Sequence, residues 1–182
     1  MTTPGRSSGG WIPRPFIGVS VTLPLRGHFH LFASVLVDRA IDCQMTLQFQ
    51  GMRKSVLRRE GRLLGSVSAD GLADVRALTG AVTYREASEG QALFTARFTS
   101  DGLGGGHVGE TLTLRGFVEV LPVAPLATAT TMPFSLYSAL DDEIGRGAMR
   151  LDLRGDLGRV LGSVRPTLTL GREPPPFWGE TA

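Results

Sequence analysis

The run ALFTARF–TS–DGLGGGHVGE–TLTLRGFVEVL, from Ala92 to Leu121, restricts the fold more than any other stretch. On both flanks apolar and polar residues alternate, which sends successive side chains to opposite faces of a strand. The connector from Ser100 to Glu110 holds five glycines. Alternating flanks joined by a glycine-rich connector predict a β-hairpin. Phe16 to Leu25, Leu31 to Val37 and Met45 to Phe49 read as further strands, rich in β-branched and aromatic residues or alternating in polarity. Phe134 to Leu140 and Ala148 to Leu153 read as a second pair that turns near DDEIGRG.

Helical character is confined to ADGLADVRAL (Ala69 to Leu78) and RGDLGRVLGSV (Arg154 to Val164). Asp70 suits the cap of the first and Gly80 its end, while Asp156 suits the cap of the second. The 24 glycines and 11 prolines favour turns over long helices. The expected fold is mainly β: a closed or nearly closed antiparallel β-barrel, or a curved sandwich, with two short helices.

With 182 residues the chain fits one domain and can bury a substantial core. Residues 1–15 are polar and rich in Gly, Ser and Pro, and read as a flexible arm without a signal-peptide core. Residues 16–170 are expected to form a single β-rich domain. Residues 171–182 form a tail that Pro174, Pro175 and Pro176 should keep extended. Phe177 and Trp178 in that tail could anchor it on its own domain or on a neighbouring chain. No apolar run is long enough to be a transmembrane helix. Cys43 is the only cysteine, which excludes an intrachain disulfide and fits a reducing, cytoplasmic setting.

Two internal similarities suggest duplicated halves, residues 19–82 and 108–164. TLPLRG at Thr22 to Gly27 resembles TLTLRG at Thr111 to Gly116. Gly65 to Val82 also aligns without gaps on Gly147 to Val164, matching Asp70 to Asp152 and Gly80 to Gly162. Gly, Leu, Arg and Asp are common here, so chance matching is the rival explanation.

The net charge of +2 is too small to argue for nucleic acid. Arg53, Lys54, Arg58, Arg59 and Arg62 cluster, but the stretch lacks aromatic residues that would stack on bases. A solvated strand edge or a docking surface for a protein partner fits better. His28 and His30 are two residues apart, so on a strand they share a face. They are candidates for a polar site at the barrel mouth, and with His107 or Asp38 for a metal, although wet histidines are the simpler account. Asp141, Asp142 and Glu143 fall in a turn, where solvated charge is the default. The glycines from Gly102 to Gly109 precede a strand and so do not form a phosphate loop.

The segments LFTARFTSDG, ETLTLRGFVEV, ATTMPFSLYSAL and IGRGAMRLDLRGDLGRVLGSVRP, about residues 80–166, resemble a β-rich accessory module. Such modules accompany bacterial flavin oxidoreductases of the glucose-methanol-choline type, the cholesterol-oxidase-like enzymes. Val118 stands where that pattern expects a basic residue, and Met132-Pro133 interrupts its Thr-rich segment. The resemblance implies an accessory role near enzymes of apolar substrates. No dinucleotide-binding glycine fingerprint is present, so no cofactor is expected in this chain.

Three functions follow as expectations. The first is a non-enzymatic module that binds an apolar, lipid- or sterol-like molecule or docks beside an oxidoreductase. The second is an assembly protein forming homo-oligomers through its terminal arms. The third is a small barrel enzyme using His28 and His30.

Overall fold

The computed structural model describes residues 16–34, 38–49, 60–84, 91–102, 108–119 and 130–169. Its strands are β1 (Phe16–Leu31), β2 (Arg39–Phe49), β3 (Glu60–Ala69), β4 (Ala73–Tyr84), β5 (Gln91–Thr99), β6 (Thr111–Glu119), β7 (Thr131–Tyr137), β8 (Glu143–Arg150) and β9 (Arg165–Thr169). One helix, α1 (Leu153–Ser163), separates β8 from β9. Each strand from β1 to β7 pairs antiparallel with the next, and β8 pairs back onto β1. The result is a closed eight-stranded barrel with β9 added along β1.

Register defines the barrel's shape. Starting at Ser20, the pairing runs through Gln48, Arg62, Ala81, Thr95, Arg115, Ser135 and Arg146, and returns to β1 at His30. The two crossings of β1 lie ten residues apart, a stagger that tilts the strands against the barrel axis. Eight strands enclose a space just wide enough for side chains to fill.

Alternation decides what fills it. Leu25, Phe29, Ile41, Met45, Leu63, Leu78, Leu112, Leu114, Leu136 and Met149 all point inward and are buried. Inward glycines lie beside inward phenylalanines: Gly116 and Gly147 both pair with Phe134, and Gly147 also pairs with Phe29. A side chain on Gly147 would meet the Phe134 ring at 2.6 Å and Phe29 Cβ at 2.7 Å. The missing Cβ atoms make room for the rings, and the rings cover the bare backbone.

The outer wall is charged, carrying Arg26, Asp42, Arg62, Arg97, Arg115, Arg146 and Arg150 as exposed residues. An apolar inside and a charged outside reverse the pattern of a barrel that faces lipid. Among the described residues no helix is long and apolar enough to cross a membrane.

The turns β1–β2, β3–β4, β5–β6 and β7–β8 share one end of the barrel, here the upper end. Neighbouring turns there are tied to one another. Arg39 is buried and donates to Asp70 O (3.3 Å) and Ser34 Oγ (2.9 Å). Ser100 Oγ donates to Leu72 O (2.9 Å), and Leu72 itself is fully buried as a plug. Asp101 accepts from Asp74 N (2.8 Å) and pairs with Arg76. Glu110 accepts from Ala139 N (2.8 Å). In the expected glycine-rich connector, Gly102 and Gly109 adopt φ of +70° and +71°, the region where glycine has no steric penalty.

A gap in the pairing of β1 explains the helix. β8 pairs with β1 from Arg26 to Leu31, and β9 pairs with it from Phe16 to Ser20. The fourteen residues between Arg150 and Arg165 therefore run against only the five of β1 between Ser20 and Arg26, and the excess loops out as α1. In the gap, Thr22 N–H donates to Ser163 Oγ (2.9 Å) and Thr22 O accepts from it (3.2 Å). Pro24, two residues on, faces the same edge. It has no N–H to leave unpaired, so a proline is accommodated inside a long strand.

Three sequence expectations need correction. Ala69 to Leu78 is not a helix but the turn Asp70–Leu72 and the start of β4, so among the described residues only the second of the two expected helices forms. Asp70 accepts from Ala40 N (3.2 Å) instead of capping, and Gly80 lies within β4. The cap of α1 is Asp152, which accepts from the N–H groups of Arg154 and Gly155. Asp156 sits in its first turn, buried beside Arg159 at 3.6 Å. The strand expected to begin at Leu31 does not, since β1 ends at Leu31 and Phe32 and Ala33 turn; residues 35–37 of that expectation lie outside the described residues. The two stretches aligned as a repeat also differ locally: Gly65 to Val82 is a hairpin, whereas Gly147 to Val164 is a strand end and a helix.

Cys43 is buried on the inner face of β2, and desolvation, reinforced by Asp42, pushes its thiol up to about 12. The folded protein should react with a disulfide reagent at pH 8 on the order of a thousandfold more slowly than the protein in denaturant, because little thiolate exists. Comparable rates with and without denaturant would contradict a buried Cys43.

Candidate functional site

A half-open concavity lies on the outer wall, across β8, β1 and β2. It encloses about 550 Å³ and is lined by Arg26, Gly27, His28, Ala40, Asp42, Ala148 and Arg150, with Ile41 contributing from β2. Register explains the composition. His28 on β1 is flanked by Ala40 on β2 and Ala148 on β8, two small residues that leave space beside it. Arg26 is flanked by Asp42 on one side and Arg150 on the other. Gly27 lets β1 run against β8 here, since a Cβ on it would stand 2.0 Å from Ala148 O.

Charge in the cleft is unbalanced. Arg26 Nε lies 3.8 Å from Asp42 Oδ1, a loose and exposed contact. Two other arginines of the wall have close acids. Arg115 meets Asp141 at 2.6 Å and also stacks over Tyr137 at 4.4 Å. Arg146 grips both oxygens of Glu143, at 2.6 and 2.8 Å. Arg150 has no carboxylate within ion-pair distance among the described residues. The arrangement suits the capture of a group with negative charge or several acceptors.

Glu143 shows what close pairing does. The Arg146 hydrogen bonds, aided by Ser135, hold its carboxyl down to about 2, against an ordinary value of 4.5. A depressed folded value means this stabilisation is complete above the ordinary value and disappears as pH falls through about 2. The melting-temperature difference between wild type and Glu143→Gln should therefore be constant above about pH 5 and shrink between about pH 4.5 and 2. A difference independent of pH would contradict the pairing.

The residues singled out by sequence divide as follows. His28 and His30 do share a face, the outer one. His28 belongs to the cleft wall, while His30 stands nearer the upper end with its ring 5.6 Å from that of Phe32. Neither points into the barrel. No group of three metal-ligating side chains occurs among the described residues. Asp141 and Glu143 are each engaged by an arginine, and Asp141 turns the chain at φ 67°. Arg62 lies on the outer face of β3. Arg53, Lys54, Arg58, Arg59, His107, Phe177 and Trp178 lie outside the described residues, as do both terminal arms. Arg26, Asp42 and Arg150 had no signal in the sequence, because only barrel closure brings positions 26 and 150 together.

Comparison with protein-family models, with curated proteins and with solved structures finds no match to this chain.

Proposed function

We propose that the chain is a non-enzymatic binding module in which the packed barrel is a scaffold and the outer cleft is the recognition surface. The observation that carries this reading is the cleft. Its volume of about 550 Å³ suits a small ligand, its floor is stripped to glycine and alanine, and its walls carry charge. Docking beside an oxidoreductase is the protein-partner form of the same reading, with a partner side chain seated in the cleft.

A second reading keeps the apolar, lipid- or sterol-like ligand. The central and upper layers are occupied by buried side chains, so such a guest would enter at the lower end. There Val21, Leu23, Phe49 and Ala92 are only partly buried against the core.

Amide NMR spectra of the labelled protein, recorded against a library of small fragments, separate the two. The cleft reading expects shifts grouped at residues 26–28, 40–42 and 148–150. Shifts grouped at Val21, Leu23, Phe49 and Ala92 would replace it with the apolar reading.

A further inference from the structure

Arg26 and Arg150 occupy directly opposed positions on adjacent antiparallel strands. Like charges placed so closely disfavour the pairing they sit on. Three other arginines of the outer wall and upper end, Arg76, Arg115 and Arg146, each meet a carboxylate directly. Against these two opposed arginines the cleft holds one carboxylate, Asp42, 3.8 Å from Arg26 and across β1 from Arg150. The cleft therefore has an excess of positive charge, forked donors and open volume in one place. His28 adds a further ring nitrogen on the same wall, and Ala148 leaves the space in front of it clear.

We propose that the cleft binds an oxyanion, the carboxylate or phosphate group of a small molecule, held between Arg26 and Arg150 with His28 at its edge. The inference rests on the cleft being the recognition surface and adds the chemical class of its ligand. A planar guanidinium matches either group by donating two parallel hydrogen bonds. An anion between the two arginines turns their repulsion into two attractions. Asp42, beside Arg26, disfavours ligands whose negative charge extends towards β2. Ala40 and Ala148 leave room for the body of the ligand.

The test is a titration of the labelled protein with sodium phosphate, then with sodium propionate, each against sodium chloride at matched ionic strength. At least one oxyanion should produce saturable shifts at Arg26, His28 and Arg150 that chloride does not. Which of the two does so identifies the source of the charge. Arg150→Gln should weaken that binding about tenfold, the effect of one lost charged hydrogen-bond pair. In chloride the same variant should melt no lower than wild type, because a repulsive neighbour has been removed. Shifts identical in chloride, or unchanged by Arg150→Gln, would overturn the proposal. If neutral fragments still shift the cleft while neither oxyanion does, the ligand class falls and the site stands. If nothing shifts the cleft, both fall.

Discussion

Gly65→Ala is expected to destabilise the protein by about 3 kcal/mol, at the upper end of the usual cost of overpacking. A Cβ at this position would stand 1.8 Å from Gln44 O and 2.9 Å from its carbonyl carbon. Both atoms belong to the backbone of β2, so no rotamer change relieves the overlap, and the strands themselves must separate. Gly65 pairs with Met45 and Leu78, both fully buried, so separation would open the core. Gly158→Ala is the matching control: nothing lies within 4 Å of its Cβ, and it sits inside α1. There alanine should stabilise by up to about 1 kcal/mol through helix propensity. Chemical denaturation of the two variants checks the contrast. Equal stabilities would mean that β2 and β3 do not approach as described.

Phe134→Ala should cost about 3–5 kcal/mol, the range for emptying an aromatic core position. Its ring is 4% exposed and lies beside two glycines, Gly116 and Gly147, on the flanking strands. Neither neighbour has a side chain that could collapse into the space, so the cavity should persist. A loss below about 1 kcal/mol would show that the phenylalanine–glycine packing contributes little.

Much of the barrel was legible because its strands keep strict alternation. The hairpin of β5 and β6 falls within two residues of its expected position, whereas β7 and β8 lie three to five residues earlier than expected, with the turn before Glu143 rather than across DDEIGRG. The hairpin of β3 and β4 was not legible, for a local reason. Leu72, Val75 and Leu78 recur at helical spacing, behind an Asp-Gly pair that resembles a cap. In the fold Leu72 plugs the upper end from a turn and Leu78 faces the core, whereas Val75 is 69% exposed at a φ of 50°. Opposite Val67 to Ala69 the register shifts, so that three steps of β4, from Ala73 to Arg76, face two of β3; this breaks the alternation of β4, and the broken alternation imitates a helix. The extension of β1 past Leu25 was hidden because Arg26, Gly27, His28 and His30 are polar or a glycine, leaving Phe29 and Leu31 as the only apolar marks of its inner face.

The cleft was legible only in part. His28 was accessible because adjacent odd or even positions on one strand share a face. Its partners come from β2 and β8, and register between distant strands leaves no local mark. The buried Arg39 is a similar case. Its inward direction follows from pairing with Phe29, and its Nε has no hydrogen-bond partner while its other nitrogens tie two turns together. Nothing in the letters around it distinguishes it from a surface arginine.

Closure of β8 onto β1 underlies the packed interior, the gap that expels α1 and the cleft that joins Arg26 to Arg150. Cross-strand nuclear Overhauser contacts from Gly27 in the labelled wild-type protein test it most directly. The account predicts contacts from Gly27 to both Ile41 and Met149, its register partners on the two sides. Contacts to Ile41 alone, with the amides of β8 exchanging rapidly along an open edge, would contradict it.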